Sequence, residues 1–370
     1  MLSVALVNFC FSEYTLGLAN GLAEYVNLTL IQPEDIFVRC QTLVSPKINV
    51  LTFNKYRIRD PRNIFSMMEM LKCINKASVD ILHVQETNDF WYDLTLLLYS
   101  LPGLKQKLPP LITTIHDVFR HPGDRDLIIG AEYTRRVAYY RSKQLIVHSK
   151  HLQNILEQEF DISPSKVNVV PHGELGFFYK GLSNQERIER EPYTLLFFGR
   201  IWPYKGLNYL LNALPIIAKK LPKIKLIIAG RGENIDELLP SALGSEHFEL
   251  INTFIPDEDV ASLFQRSSAA VLPYIESSQS GVAVVAYALG TPTIASNIGG
   301  LSETIRHDED GLLVTPKDVN ALADSIINLL SDTELQERIR QSALKRCEED
   351  LSWRTIAHQT VGIYKAVLER

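Results

Sequence analysis

A chain of 370 residues exceeds what one hydrophobic core usually supports, so two domains are expected. Apolar residues make up 46% and charged residues 22%, the balance of a globular protein that folds in water. With 38 basic against 43 acidic residues the formal charge is −5, and no broad basic field exists to hold a nucleic-acid backbone. The opening MLSVALVNFCFSEY has neither a basic leader nor a small-residue cleavage site, so it reads as a first buried strand rather than a signal peptide. No apolar run approaches the ~20 residues that span a bilayer. Cys10, Cys40, Cys73 and Cys347 are far apart and form no CxxC or Cys/His cluster, which argues against structural zinc and for a reducing, cytoplasmic setting.

Short apolar runs then alternate with helical patterns. In the first half the runs are SVALVNF from Ser3, ILHVQ from Ile81, LITTIHD from Leu111, QLIVHS from Gln144 and VNVVPHG from Val167. In the second half they are TLLFFGR from Thr194, IKLIIAGRG from Ile224, AAVLPY from Ala269, PTIAS from Pro292 and GLLVTP from Gly311. Most are continuously apolar rather than alternating, as strands of a parallel sheet covered on both faces must be. Amphipathic stretches such as LNYLLNALPIIAKKL from Leu207 and VNALADSIINLLSD from Val319 lie between them. The order predicts two doubly wound α/β domains, 1–180 and 193–350, joined through the polar stretch Lys180 to Pro192. Residues 351–370 form a last helix, anchored by Trp353 and expected to pack back on the N-terminal domain.

Ligands of open parallel sheets bind beyond the carboxyl ends of the strands, and the informative residues lie there. In TLLFFGRIWPYKG a strand ends at Phe198, Gly199 turns the chain, and Arg200 and Lys205 follow on one loop. Two such cations can converge on a diphosphate; the same pair also suits an ordinary solvated loop. In PYIESSQSGVAVVAYALGTPTIAS a small polar loop, Ser277 to Gly281, opens an apolar helix stopped by Gly290. Amides near Ser280 and Gly281 at that helix start make an anion site, or Ser280 is simply an N-cap. His116 ends a strand in LITTIHD, placed either to contact a sugar hydroxyl or to bond within its own loop, with Asp117 beside it. DED from Asp257 reads as the first turn of a helix rather than a metal motif, HDEDG from His307 as a polar turn, and AGRGE, with Gly232, as a glycine turn after a strand.

In this order the segments FFGRIWPYKGLNYLLNAL, KLIIAGRGE, FIPDEDVASLFQRSSAAVLPY, GTPTIASNIGGLSETI and DGLLVTP, with TIHD and VVPHG before them, resemble the retaining glycosyltransferases of family 4 over nearly the whole chain. That resemblance implies the GT-B fold, two Rossmann-like domains facing a cleft, with a UDP- or GDP-sugar on the C-terminal domain, a saccharide or lipid-linked saccharide acceptor on the N-terminal one, retention at the anomeric carbon, and no metal. It implies that Arg200 and Lys205 neutralise the donor diphosphate with amides near Ser280 and Gly281. Gly199, the turn at Gly232 and the backbone near Ile255 would line the nucleotide or sugar, and His116 would lie beside the transferred sugar. The family's paired glutamates would fall on Ser277 and Val285, so the ribose-binding carboxylate is absent and Glu276, one residue out of register, is an open candidate for a sugar contact. The SQSG loop thus resembles a subgroup in which that motif is rewritten. Arg57, Arg59, Arg62, Lys72 and Lys76 form either a peripheral membrane-facing patch at the inner face of the membrane or a solvated helix face. A catalytically silent sugar-nucleotide binder and a UDP-sugar epimerase of the same fold are the alternatives. No GxGxxG follows the first strand, against a nicotinamide dehydrogenase.

Overall fold

The chain is described here by a computed structural model covering residues 1–57, 60–85, 95, 109–118, 131–183, 188–232, 234–235 and 238–369, except the side chains of 131–135. It divides into two units. The first takes in Met1–Val118, the described residues up to Gly173 and the stretch from Trp353 onward; the second is Glu174–Ser352.

The first unit holds strands β1 (Ser3–Val7), β2 (Asn27–Pro33), β3 (Asn49–Phe53), β4 (Ile81–Gln85), β5 (Leu111–Thr114), β6 (Gln144–Val147) and β7 (Val167–Val169), in the order β3-β2-β1-β4-β5-β6-β7. Every pair is parallel. Its helices are α1 (Ser12–Leu22), α2 (Glu34–Cys40), α3 (Asn63–Ala77), α4 (Ala131–Arg141) and α5 (Lys150–Phe160), the last capped by the Ser149 hydroxyl, which accepts from the Leu152 amide. Strand residues Val4 to Val7, Ile81 and Leu82 are fully buried or nearly so, which is why these runs carry no polar alternation.

The second unit repeats the plan. Strands β8 (Thr194–Phe198), β9 (Lys225–Ala229), β10 (Phe248–Ile251), β11 (Ala269–Leu272), β12 (Thr293–Ser296) and β13 (Leu312–Val314) run parallel in the order β10-β9-β8-β11-β12-β13. Helices α6 (Gly176–Leu182), α7 (Leu207–Lys220), α8 (Asp257–Arg266), α9 (Gly281–Ala288), α10 (Leu301–Thr304), α11 (Val319–Ser331) and α12 (Thr333–Glu348) accompany them. Leu210, Leu214 and Ile217 of α7 and Leu322, Ile326 and Leu329 of α11 share a core with Leu195, Phe197, Leu226 and Ile228. Each such buried side chain contributes about 1.5–3 kcal/mol over exposure. Asp318 and Asp332 cap α11 and α12 through the Ala321 and Leu335 amides.

The division falls at Gly173/Glu174, ahead of the polar stretch Lys180 to Pro192. The reason is that α6 docks on the second unit, where Lys180 Nζ donates to the Ala288 carbonyl at 2.7 Å. The second crossing comes at Trp353, the first residue of α13 (Trp353–Leu368), a helix of the first unit. Trp353 occupies a notch that only glycine leaves open, since a Cβ on Gly17 would stand 2.0 Å from its indole.

Candidate functional site

The sheet of the second unit reverses its winding between β8 and β11, the two strands on either side of the point where successive connections turn to opposite edges. A crevice at the carboxyl ends of such strands is where open α/β sheets take ligands. The loops that follow them are Gly199 to Gly206 and Pro273 to Ser280.

The two loops are locked together. Gly206 has φ +69°, and a Cβ there would stand 1.9 Å from the Pro273 carbonyl oxygen, so this left-handed residue allows the backbones to touch. The Ile275 amide donates to the Tyr204 carbonyl at 2.8 Å. Lys205 Nζ donates to the Tyr274 hydroxyl at 2.7 Å and lies 3.9 Å from its ring centroid. Arg200, exposed on the same loop, bears electrostatically on the same phenol, and Ser280 Oγ faces it outside hydrogen-bond geometry. Burial pushes the Tyr274 hydroxyl well above the ordinary phenol range, so it stays protonated and neutral beside the two cations.

The structure therefore seats Lys205 on Tyr274, with Arg200 on the same loop and Ser280 on the facing one, and Gly281 begins α9 directly after Ser280. Ser280 makes no side-chain cap on α9. Gly199, φ +105°, joins β8 to this loop, and a Cβ on it would have only Val282 of α9 within 4 Å, at 3.9 Å. Gly232 adjoins the same loop through a parallel bridge to Ile201, and its amide donates to Asn252 Oδ1 at 3.2 Å. Ile255 is half-buried on the segment leading into α8, and Glu276 is exposed with no hydrogen bond among the described residues. Val285 is buried at 3% within α9.

Sequence reasoning passed over Tyr274, whose apolar neighbours made it look like one more strand-end aromatic. It also missed Trp202 Nε1 and Gln279 Oε1, buried polar atoms with no hydrogen-bond partner among the described residues, one on each of the two loops. An orphaned buried polar group costs about 1–3 kcal/mol. Their presence on paired strand-end loops points to a polar ligand. Among the described residues no cluster of three or more His, Cys, Asp or Glu could hold a metal ion.

His116 lies in the first unit, two residues beyond β5, and is only 1% exposed. Phe11 stacks on its ring, with centroids 4.0 Å apart, and Tyr14 meets it edge-on at 4.8 Å. One ring nitrogen, Nε2, is 2.9 Å from Gln85 Oε1; the other, Nδ1, is 3.2 Å from His148 Nε2. Burial, reinforced by the neighbouring imidazoles, holds His116 well below the usual histidine range, so it is neutral. His148 and His172, on the loops after β6 and β7, were not singled out by the sequence.

Two parallel-sheet units of this kind constitute the GT-B fold, and solved structures agree over the whole chain. The chain superimposes on sucrose-phosphate synthase of Thermosynechococcus elongatus with a TM-score of 0.72 at 18% identity, covering 100% of each chain. It superimposes on HepE of Anabaena, solved with UDP and glucose, with a TM-score of 0.69 at 17% identity, covering 99% of this chain and 100% of that one. Residues 180–346 match the family model "Glycosyl transferases group 1", and residues 3–149 match "Glycosyl transferase 4-like". An uncharacterized glycosyltransferase of Methanocaldococcus jannaschii is 32% identical over 277 residues, 70% of each chain. A glycogen synthase of Mycobacterium tuberculosis is 29% identical over 269 residues, 70% of this chain and 63% of that one. The chain belongs to the group 1 glycosyltransferases, a family of glycosyl-transferring enzymes.

Proposed function

We propose that the chain is a retaining, metal-independent glycosyltransferase that moves a hexosyl group from a UDP- or GDP-sugar to a saccharide or lipid-linked saccharide. The observation that carries this reading is Lys205 seated on Tyr274 at the carboxyl edge of β8 and β11, with Arg200 exposed on the same β8 loop and bearing electrostatically on that phenol. As the anomeric C–O bond to the diphosphate breaks, negative charge accumulates on the leaving phosphate oxygens. The two cations and the amides near Ser280 and Gly281 oppose that charge most strongly in the transition state, which is where stabilisation raises the rate. His116 contributes a contact to the transferred sugar, Gly199, Gly232 and the backbone near Ile255 line the donor, and Glu276, one residue out of the family's register, is the candidate for a sugar contact on the second loop. That UDP accompanies HepE supports a uridine donor. The SQSG loop marks a subgroup in which α9 carries buried Val285 in place of a ribose carboxylate, and ribose recognition then falls to other groups of the loops.

The test is a thermal-shift and turnover screen of UDP- and GDP-sugars with EDTA throughout. One donor is expected to stabilise the second unit and to be consumed, with the product keeping the donor's anomeric configuration by NMR. Activity abolished by EDTA and restored only by a divalent ion overturns the metal-free reading. Conversion of the nucleotide sugar with no acceptor present identifies an epimerase, and stabilisation without turnover identifies a silent binder.

No helix among the described residues is long and apolar enough to cross a membrane. Peripheral contact at the cytoplasmic face is nevertheless proposed for α3. Ile64, Phe65 and Met68 are 50%, 63% and 53% exposed there, and Lys72 and Lys76 follow on its exposed residues. Arg57 is exposed before the helix, Arg62 is paired with Asp60, and Arg59 lies outside the described residues. Exposed apolar side chains beside cations suit an anionic lipid surface. Phe65→Asp is expected to lower co-sedimentation with phosphatidylglycerol vesicles at least fivefold; unchanged sedimentation, or none by the wild type, rejects the membrane contact.

A further inference from the structure

The polar chain around His116 has a direction that its bonding partners dictate. His148 Nδ1 is 3.0 Å from the Val170 carbonyl oxygen. A carbonyl only accepts, so His148 carries its proton on Nδ1. In the neutral ring Nε2 is then bare and must accept. The group it meets, at 3.2 Å, is His116 Nδ1, which must therefore be the protonated nitrogen of His116. That leaves His116 Nε2 with a lone pair, facing the Gln85 carboxamide.

A lone pair there requires a donor from Gln85. With Oε1 toward His116, two acceptors meet and Gln85 Nε2 is left buried with no partner. Reversing the amide, whose oxygen and nitrogen are assigned by their surroundings, removes the conflict. The self-consistent chain runs Gln85 N–H to His116 Nε2, His116 Nδ1–H to His148 Nε2, and His148 Nδ1–H to the Val170 carbonyl. The competing arrangement keeps Gln85 as an acceptor and needs a doubly protonated imidazole. It would place that charge where both rings are all but closed to water, with Phe11 stacked on His116, Tyr14 against both rings and His172 5.1 Å from His148. Asp117 bears on His148 and His172 in the opposite sense, but burial dominates and pushes His148 down to about 3.

We infer that His148 and Gln85 are positioning residues: they fix His116 as its Nδ1–H tautomer, so that its Nε2 is an acceptor for a hydroxyl of the transferred sugar, which takes the place of the Gln85 N–H. This rests on the reading of His116 as a sugar contact and goes beyond it. His116 orients a hydroxyl and supplies no proton to the reaction.

The experiment is two-bond 15N–1H spectroscopy of histidine-labelled protein, with kinetics of three variants. In the wild type, and in His148→Gln, whose side-chain oxygen can accept from His116 Nδ1–H, the His116 signal is expected to show a protonated Nδ1 and a bare Nε2. His148→Gln should keep kcat within threefold. His148→Leu removes the acceptor, so the His116 tautomer is expected to mix or invert and kcat to fall at least tenfold while the donor KM moves less than threefold. A wild-type His116 protonated on Nε2 overturns the inference, as does a His148→Leu protein with unchanged tautomer and rate. Should His148→Leu fail to fold, the wild-type and His148→Gln spectra decide alone. His116→Ala at full rate would instead reject the sugar contact, while the tautomer lock would stand on the spectra.

Discussion

Lys205→Ala is expected to lower kcat/KM for transfer at least tenfold, Arg200→Ala likewise, and the double substitution at least a hundredfold. A hydrogen bond to a charged group contributes about 1.5–3 kcal/mol, and each ~1.4 kcal/mol of lost transition-state stabilisation is a factor of ten in rate. Lys205 should be the less forgiving of the two. Its ammonium is already held at 2.7 Å by the Tyr274 hydroxyl and stands over that ring, so little ordering remains when the diphosphate arrives. Lys205→Arg should not restore the rate, because a planar guanidinium cannot reproduce a point charge seated against an aromatic face. Tyr274→Phe keeps the ring and loses only the oriented acceptor of a charge-assisted bond worth about 1.5 kcal/mol, so a fall of about tenfold is expected of it. Arg200 is exposed and Lys205 half-buried, so unfolding temperatures should change little and the loss can be read as function. Wild-type kcat/KM in both single variants would remove the diphosphate site from this loop.

The reach of the sequence followed burial. All ten runs quoted above coincide with strands, among them ILHVQ as Ile81–Gln85 and TLLFF as Thr194–Phe198. Most are central strands, where both faces are covered and the residues are continuously apolar; of the two edge strands among them, β13 is largely buried and the half-buried β7 showed through its valines. The strands passed over are β2, β3 and β10. The last two lie at sheet edges, with their residues only partly buried, so NVLTF and FELI show neither a clean apolar run nor an alternation. The β2 strand is buried after its first residue, but Thr29, Gln32 and Pro33 break the pattern that would have revealed it. The candidate site was legible through its charges and glycines, Arg200, Lys205, Gly199 and Gly206, because those residue types are visible without their surroundings. Tyr274, Trp202, Gln279 and the pair His148 and Gln85 were not. Their roles come from burial and from which atom each one meets, and a linear pattern records neither.

Asp310 shows the same limit with the largest expected effect on stability. In sequence it is the fourth residue of HDEDG, an apparently polar turn, and its three predecessors there are indeed exposed. Asp310 itself is 1% exposed. Its Oδ2 lies 2.8 Å from Arg346 Nη1 of α12, whose side chain is only 10% exposed. Its Oδ1 accepts from the Tyr287 hydroxyl of α9 at 2.5 Å and from the Arg306 amide at 2.7 Å. One carboxylate thus ties the turn before β13 to the two helices α9 and α12, and α9 is the helix that opens at Gly281. Asp310→Ala would leave a buried phenol and a main-chain amide without this partner and reduce the largely buried Arg346 guanidinium to the Thr304 carbonyl and the more distant Asp350 carboxylate. Breaking a buried pair from one side costs about 3–5 kcal/mol. For a unit of this size that is on the order of ten degrees of unfolding temperature. Asp310→Asn retains an oxygen for Tyr287 and Arg306 but loses the charge opposite Arg346, and should fall between Asp310→Ala and the wild type. Glu309→Ala, an exposed neighbour, should stay within ~0.5 kcal/mol. Urea unfolding of the four proteins distinguishes the cases: Asp310→Ala within 1 kcal/mol of the wild type would mean that the carboxylate is dispensable to the second unit. Because Tyr287 belongs to α9, the destabilised variant should also bind donor more weakly, through the loosened helix start rather than through any contact of Asp310 with the ligand.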